Sequence, residues 1–241
     1  MLDYPSIAGL ILTTAGAGVL RGYSGFGGGL LMAPVFTMLV GSTQSVVLIS
    51  IIHLLTGLQG MRQAVKIVDW PMLAPLAGAA VLSIPIGVIL LGRLEPHATK
   101  VVVATIVLLF AAAIGNGFRL QSRSKWIAVP VGLISGILNG FCGIGGPPAV
   151  IYLLSDPRPS AKMRAALIVF FAILYPTTCA LLGFSGLIEF SSAIIGALLA
   201  PVYFLGTEAG HLCFRRLHSR FFAPVCTLIL CFSGLSLLLT A

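Results

Sequence analysis

The chain has 241 residues, of which 58% are hydrophobic and only 8% are charged. A soluble domain carries about 25% charged residues, so this composition excludes a soluble globular protein and predicts an all-α, polytopic membrane protein. The net charge of +8 comes from basic residues in short loops between apolar segments. That pattern sets the orientation of a protein in the bilayer and does not indicate a nucleic-acid partner.

Ten apolar segments follow one another along the chain, at approximately 6–20, 27–40, 44–61, 70–92, 100–118, 126–140, 146–155, 164–184, 190–212 and 221–240. A helix needs about 20 residues to cross the hydrocarbon core. Six segments reach or approach that length: 44–61, 70–92, 100–118, 164–184, 190–212 and 221–240. The four shorter segments flank two glycine clusters, and we interpret them as the arms of two helical hairpins.

The two glycine clusters, residues 21–29 and 139–147, lie 118 residues apart and interrupt the short segments at matching places. In this alignment Arg21 matches Asn139. Unwound backbone at membrane depth is tolerated only where it lines protein or water, and matching breaks in two halves of a chain indicate a transporter's binding site. Close helix packing is the alternative role for such glycines, but two breaks in register favour the binding site.

The basic residues favour hairpins over continuous crossings. If each broken pair turns back on itself, eleven Lys and Arg residues fall on one side of the membrane and two on the other, whereas continuous crossings split them eight to five. Short cytoplasmic loops are rich in Lys and Arg, so we expect hairpins and both termini outside the cytoplasm. Five segments per half then predict two inverted repeats, 1–120 and 121–241, whose hairpin tips meet near the membrane midplane.

Each break begins a half-helix whose first N–H groups lack partners within the helix and whose end carries partial positive charge. Glycine allows a small oxyanion to approach this backbone closely. No metal or cofactor is predicted, because the five cysteines lack the spacing of metal ligands and no nucleotide-binding motif is present. The predicted substrate site consists of Arg21, Ser24, Gly25, Gly27, Gly28, His53, Asn139, Gly143, Gly145 and Gly146.

Two side chains of this site carry most of the expected chemistry. An unpaired guanidinium at a hairpin tip is costly in a membrane, so Arg21 there needs an anion, and its planar fork suits sulfonate or carboxylate oxygens. The alternative places Arg21 at the cytoplasmic end of the first segment, as an orientation signal. His53 is the only histidine in the middle of an apolar segment. It is either a structural residue, a substrate ligand or a proton-coupling group.

Other polar residues in the apolar segments have simpler expected roles. Asp69 and Glu189 precede the fourth and ninth segments and are expected to cap helices, with ion coupling as the alternative. Glu208 is expected to pair with Arg215 or Arg216, with a role in transport as the alternative. Tyr175 precedes a proline and marks a kink, with cavity lining as the alternative.

Taken together, these residues resemble the TauE/SafE family of membrane permeases. The resemblance rests on the paired clusters at 25–29 and 143–147, on Asp69 and Glu189 with the aromatic residue that follows each, and on the glycine-rich ninth segment. It covers essentially the whole chain. It implies transport of sulfur-containing oxyanions such as sulfite, sulfoacetate and other organosulfonates, by export or uptake. The anionic character of the substrate follows independently from Arg21 and the half-helix ends.

The sequence therefore predicts a secondary transporter of a bacterial inner membrane that binds its anion between the hairpin tips and works by alternating access. A passive anion channel and a non-transporting assembly subunit are the alternatives. An intramembrane enzyme is not expected, because Cys142 has no evident intramembrane His-Asp partner. The exact substrate, the direction of transport, a coupling proton or cation, and association into a homo-oligomer stay open.

Overall fold

A computed structural model describes residues 4–116, 124–153, 160–216, 231 and 234–239 of the chain. Within these ranges the regular elements are all helices. In chain order they are α1 (Tyr4–Ser24), α2 (Gly28–Val40), α3 (Ser42–Thr56), α4 (Met61–Ile67), α5 (Trp70–Arg93), α6 (Pro96–Gly115), α7 (Lys125–Cys142), α8 (Gly146–Leu153), α9 (Ser160–Phe184) and α10 (Phe190–Arg216).

The helices have the length and surface of membrane spans. Four of them, α5, α6, α9 and α10, are long and apolar enough to cross a bilayer, and the bent pair of α3 and α4 would make a fifth span. Large apolar side chains point outward: Leu12, Leu82 and Phe190 are 73%, 77% and 82% exposed. Such a surface suits lipid and not water. The predicted all-α, polytopic membrane class is confirmed.

The helices fall at the predicted segments, with differences at their ends. The breaks lie within the two glycine clusters, where residues 25–27 separate α1 from α2 and residues 143–145 separate α7 from α8. Helix α1 has 21 residues and extends four residues past the predicted end at 20, so it is longer than the short arm expected there. The segment predicted at 44–61 instead ends at Thr56, and α4 leaves at 82° to α3. Gly60 permits this turn, because it adopts a φ of 77° at the start of α4. The tenth segment lies largely outside the described residues.

The two breaks need glycine at specific backbone positions. Gly27, just before α2, has a φ of 93°, and the carbonyl oxygen of Gly27 accepts the first hydrogen bond of that helix from Leu31. Gly143, just after α7, has a φ of 71°, and its N–H donates to the carbonyl oxygen of Asn139 at 3.0 Å. Side chains with a Cβ rarely adopt these angles, which explains why glycine stands at both breaks.

Helices α1 and α10 pack with their backbones in contact. Gly18 and Gly22 of α1 face the carbonyl oxygens of Tyr203 and Thr207 in α10, so closely that an added Cβ would overlap either oxygen. Gly210 of α10 faces the backbone of α1 in the same way. Small residues spaced four apart are the usual means by which membrane helices approach this closely.

Helices α7 and α5 form a second pair in the same register. Gly136 and Gly140 of α7 face the carbonyl oxygens of Ala80 and Ile84 in α5, again too closely for a Cβ. These glycines lie 118 residues after Gly18 and Gly22, and their partners in α5 lie 123 residues before the partners in α10. The close contacts in the two helix pairs therefore have the same spacing along the chain.

Between the two helix pairs lie the most buried elements of the protein. All eight residues of α8 are buried, and α3 is buried along most of its length. Helix α3 contacts α2, α9 and α10, and α8 contacts α7 and α9. Both breaks are thus held in the interior, at a distance from lipid.

The predicted helix caps are only partly seen. Asp69 occupies the N-cap position of α5, but its side chain accepts no capping hydrogen bond there. The backbone carbonyl of Asp69 instead accepts from Leu73 at 3.0 Å. Glu189 precedes α10, and its carboxylate accepts from the hydroxyl of Ser191 at 3.3 Å.

Candidate functional site

The two breaks touch each other in the interior. A Cβ added to Gly29, in the first turn of α2, would lie 2.6 Å from the carbonyl oxygen of Gly143 at the end of α7. The hydroxyl of Tyr175, on α9, donates to the same carbonyl at 3.4 Å. The end of one broken helix therefore lies directly against the beginning of another.

A small cavity, here called the inner cavity, lies where the breaks meet. It is lined by both breaks and by side chains of α3 and α9. The volume open to the centre of a water-sized sphere is about 10 Å³, which is room for about one water molecule. The space between the breaks is thus very small. Six of the predicted site residues line it: Arg21, Gly27, Gly28, His53, Gly143 and Gly146.

Arg21 is a buried cation beside this cavity. Its side chain is only 6% exposed, and its Nη1 has no hydrogen-bond partner among the residues that the structure describes. The guanidinium carbon lies 5.7 Å from the centroid of the Tyr203 ring, over its face, a cation–π geometry that stabilises the charge only in part. This burial argues against a surface position for Arg21 as an orientation signal.

Both ring nitrogens of His53 already have partners. Nδ1 lies 2.8 Å from the carbonyl oxygen of Ile49, and Nε2 lies 2.9 Å from the hydroxyl of Tyr203. A carbonyl only accepts, so Nδ1 carries the hydrogen, and in the neutral ring Nε2 accepts from Tyr203. The ring also stacks on Tyr175, with centroids 4.1 Å apart. His53 therefore lines the inner cavity with its ring while its polar atoms bind protein.

Tyr203 was not anticipated from the sequence. It is fully buried on α10, its hydroxyl is bonded to His53, its ring lies under Arg21, and its hydroxyl contacts the backbone of Gly28. A tyrosine in the middle of an apolar segment was the available signal, since buried tyrosine hydroxyls need polar partners. Tyr175 gave the same signal and was expected chiefly to mark a kink, whereas it also lines the inner cavity.

Asn139 and Gly145 lie behind the second break and do not line the inner cavity. Asn139 is fully buried, and its Nδ2 donates to the hydroxyl of Thr178 at 2.7 Å. Its Oδ1 has no partner within the described ranges. A Cβ added to Gly145 would lie 2.7 Å from the Cβ of Asn139. These two residues therefore pack against each other.

The two half-helices differ in the donors that they present. The first intrahelical bond of α2 runs from Leu31 to Gly27, which leaves the N–H groups of Gly28, Gly29 and Leu30 without partners inside the helix. Helix α8 begins at Gly146 and continues with two prolines, which have no N–H. The expectation of equivalent backbone nests at both breaks therefore needs correction, because the second break has fewer donors.

A larger cavity, here called the vestibule, also borders Arg21. Its volume is about 350 Å³, and it is lined by the end of α1, by α4, and by parts of α9 and α10. Gly25 lines the vestibule and not the inner cavity, whereas Arg21 lines both. The side chain of Ser24 lies outside the described residues.

Glu208 lies near the vestibule and has partners within the bundle. The Nε2 of Gln59 donates to Glu208 Oε1, and Nδ1 of His211 lies 3.9 Å from Oε2. The predicted partners of Glu208, Arg215 and Arg216, have side chains outside the described residues. Glu208 thus joins the turn before α4 to α10.

Two comparisons with known proteins indicate the same family. The sequence profile of the sulfite exporter TauE/SafE family matches residues 10–237. A probable sulfite/organosulfonate exporter TauE of Cupriavidus necator is 23% identical over 203 residues, which cover 82% of this chain and 77% of that protein. No solved structure matches the chain.

Proposed function

The chain belongs to the sulfite exporter TauE/SafE family, and we propose that it is a secondary transporter that carries a small sulfur-containing oxyanion, such as sulfite, sulfoacetate or another organosulfonate. The family consists of transporters and not of enzymes, and the relative from Cupriavidus necator is named for sulfite and organosulfonate export. The apolar helices agree with a protein that crosses the membrane several times.

One observation carries this proposal: Arg21 is a buried cation whose Nη1 faces no acceptor in the described part of the chain. Removing a charge from water costs several kcal/mol unless a partner compensates it. Arg21 lines the inner cavity, so an oxyanion there would supply the acceptor that is missing. The cavity has room for about one water molecule and not for bulk water, which strengthens the attraction between the guanidinium and a negative oxygen.

The first half-helix supports the same site. Gly28 and Gly29 line the inner cavity at the beginning of α2, where N–H groups are without helical partners. The positive end of the helix dipole favours an anion at this place. We therefore assign anion binding chiefly to Arg21 and the start of α2, with Gly143 and Gly146 enclosing the ligand from the second break.

We also propose that residues 1–120 and 121–241 are two inverted repeats, and that one part of the protein moves against the other during transport. The shared register of the two glycine-rich helix pairs supports this division. Matching halves that meet at a midplane site are typical of secondary transporters. An inner cavity too small for sulfite, beside an open vestibule, agrees better with alternating access than with a continuous pore.

The distribution of charge supports an orientation in a bacterial inner membrane. Arg62 and Lys66 lie on α4, and Lys162 and Arg164 lie on the part of α9 that α4 contacts. Loops and helix ends with many Lys and Arg residues face the cytoplasm. The vestibule then opens to the cytoplasm, and both termini lie outside it.

Proteoliposomes that contain only this chain test the proposal. We expect saturable flux of radiolabelled sulfite, and we expect sulfite or sulfoacetate to raise the melting temperature of the purified protein, because a ligand of the folded state stabilises it by mass action. Absence of flux for all sulfur oxyanions, in protein that is folded and correctly inserted, would overturn it. Single-channel currents would instead identify a passive anion channel.

A further inference from the structure

The vestibule contains a second arginine, placed across the first break. Arg164 of α9 is half-buried, and its Nη2 donates to the carbonyl oxygen of Gly22 at 2.7 Å. Its Cγ would lie 3.0 Å from a Cβ added to Gly25. A cation is favourable at the carboxyl end of α1, where the dipole is negative. This contact holds the guanidinium at the wall of the vestibule.

The described lining of the vestibule is basic and polar, with no acidic side chain in it. Its polar members are Arg21, Gln59, Gln63, Arg164, Thr207 and His211. Glu208, the nearest acid described, is bound to Gln59 and lies 3.9 Å from His211, outside the lining. Amides, a hydroxyl and two guanidinium groups are groups that bind oxyanions without a metal.

We propose that the vestibule is a second, outer anion site, at which Arg164 binds the substrate before Arg21 receives it. This inference rests on the proposed function, because it requires that an anion passes Arg21. Arg21 lines both cavities, so its side chain can contact an anion in either of them. The substrate class is a sulfite or small organosulfonate anion.

The two cavities differ in volume, and we infer different roles for them in transport. The vestibule, at about 350 Å³, has room for a hydrated sulfite or for a short organosulfonate with its carbon chain. The inner cavity, at about 10 Å³, admits such an anion only after the helices around it move apart. An outer site with a cation raises the local concentration of substrate, so it governs capture at low substrate concentration and not the rate of the conformational step.

The test is the kinetics of sulfite transport started from the vestibule side, in Arg164→Gln and in the matched control Lys162→Gln. The control removes an exposed charge from the same helix turn without touching the vestibule. A charge-assisted hydrogen bond corresponds to about tenfold in affinity. We expect Arg164→Gln to raise KM about tenfold with maximal rate changed less than twofold, and Lys162→Gln to leave both unchanged. Arg164→Lys should restore part of the loss.

A second pair of variants keeps the proposal open to refutation if Arg164→Gln does not fold. Gln63 is exposed and lines the vestibule from α4, so its side chain can be changed with little effect on packing. We expect Gln63→Glu to raise KM and Gln63→Lys to lower it, each by about threefold at low ionic strength and less at high ionic strength. Lys66→Gln, on the same helix but outside the lining, is the control.

The outcomes separate the outer site from the inner one. The proposal of an outer site is wrong if Gln63→Glu and Gln63→Lys have the same KM as the parent. It is also wrong if Arg164→Gln has the same KM as Lys162→Gln. In that case Arg21→Gln still weakens sulfite binding about ten- to a hundredfold if the inner site is right. If Arg21→Gln binds sulfite as tightly as the parent, the proposed function of the inner site fails on its own evidence.

Discussion

The two breaks use the same backbone device for different chemistry. At the first, glycines at 25 and 27 open the chain beside Arg21, and the cation reaches both the inner cavity and the vestibule. At the second, Gly143 ends α7 in a similar way, but Asn139 in the position of Arg21 is fully buried and bound to Thr178. The first break therefore has a positively charged side chain at the cavities, and the second has a neutral side chain that binds only protein.

The comparison extends to the helices that pack on each break. In the register that relates the two helix pairs, Tyr203 of α10 corresponds to Ala80 of α5. Tyr203 contacts Arg21 and His53, whereas alanine at the matching place offers no polar atom. The two helix pairs therefore share a pattern of close backbone contacts, while the polar side chains gather around the first break.

The largest expected difference between the halves concerns Arg21 and Asn139. A charge-assisted hydrogen bond contributes about 1.5–3 kcal/mol, so Arg21→Ala should weaken sulfite binding about ten- to a hundredfold. Asn139→Ala removes a hydrogen bond to Thr178 outside the cavity, and we expect the affinity to change less than about threefold, with a loss of stability of about 1–2 kcal/mol. Titration of both purified variants by calorimetry measures the affinities.

Arg21→Lys sharpens this result, because it keeps the charge and removes the planar fork. We expect an affinity between those of the parent and Arg21→Ala. If Arg21→Ala and Asn139→Ala lose equal amounts of sulfite affinity, in protein that melts cooperatively, both breaks bind the anion. The difference between Arg21 and Asn139 in this structure would then not extend to binding.

The next effect concerns the glycines that join each helix pair. A Cβ at Gly22 or at Gly140 would overlap a carbonyl oxygen of the partner helix, and overpacking of this kind typically costs about 1–3 kcal/mol. We expect Gly22→Ala and Gly140→Ala to lower the melting temperature by similar amounts. Gly78→Ala, where nothing lies within 4 Å of the new Cβ, is the control and should have no effect. Very unequal losses would contradict the shared register.

Much of this architecture could be predicted from the sequence, since the breaks depend on glycines at 27 and 143 that few other residues can replace. The bend after Thr56 was missed because the apolar run continues through it, although Gly57 and Gly60 stand there. The two prolines after Gly146 also stood in the sequence, and their missing N–H groups were the sign that the second nest is incomplete.

Tertiary contacts account for what could not be predicted. Tyr203 and His53 are 150 residues apart, and only the packing of α10 against α3 brings Nε2 and the hydroxyl within 2.9 Å. The vestibule is likewise assembled from α1, α4, α9 and α10. Neither composition nor spacing along the chain contains this information, so Arg164 was counted from the sequence only as an orientation charge.

A smaller effect is expected from the hydrogen bond between His53 and Tyr203. Protonation of His53 would place a second positive charge in the wall of the inner cavity, buried beside Tyr175 and Tyr203 and close to Arg21. Anion binding should then favour protonation, and transport should rise as the pH falls from about 8 to 5. We expect His53→Gln to flatten this dependence, measured as initial rates in proteoliposomes.

Tyr203→Phe is the matched variant for this test. It keeps the ring under Arg21 and removes the hydroxyl that binds Nε2, so the protonated ring can donate toward the cavity. We expect the pH dependence to persist in Tyr203→Phe, with its midpoint shifted, and to be lost in His53→Gln. A His53→Gln profile identical to that of the parent would return His53 to a structural role and leave the coupling ion to another group.

The smallest expected effect tests whether the second break can be made more like the first. Pro147 lines the inner cavity in the first turn of α8, where an N–H group would point out of the helix toward the break. Pro147→Ala adds that donor. A neutral hydrogen bond contributes about 0.5–1.5 kcal/mol, so we expect sulfite to bind about threefold more tightly, and we expect no change for Pro130→Ala in the lipid-exposed part of α7. Calorimetric titration of both variants measures this. If the affinity of Pro147→Ala is unchanged, the anion lies beyond the reach of α8 and contacts only Arg21 and the start of α2. Anion binding would then belong to the first break alone, a larger difference between the two breaks than their backbone donors indicate.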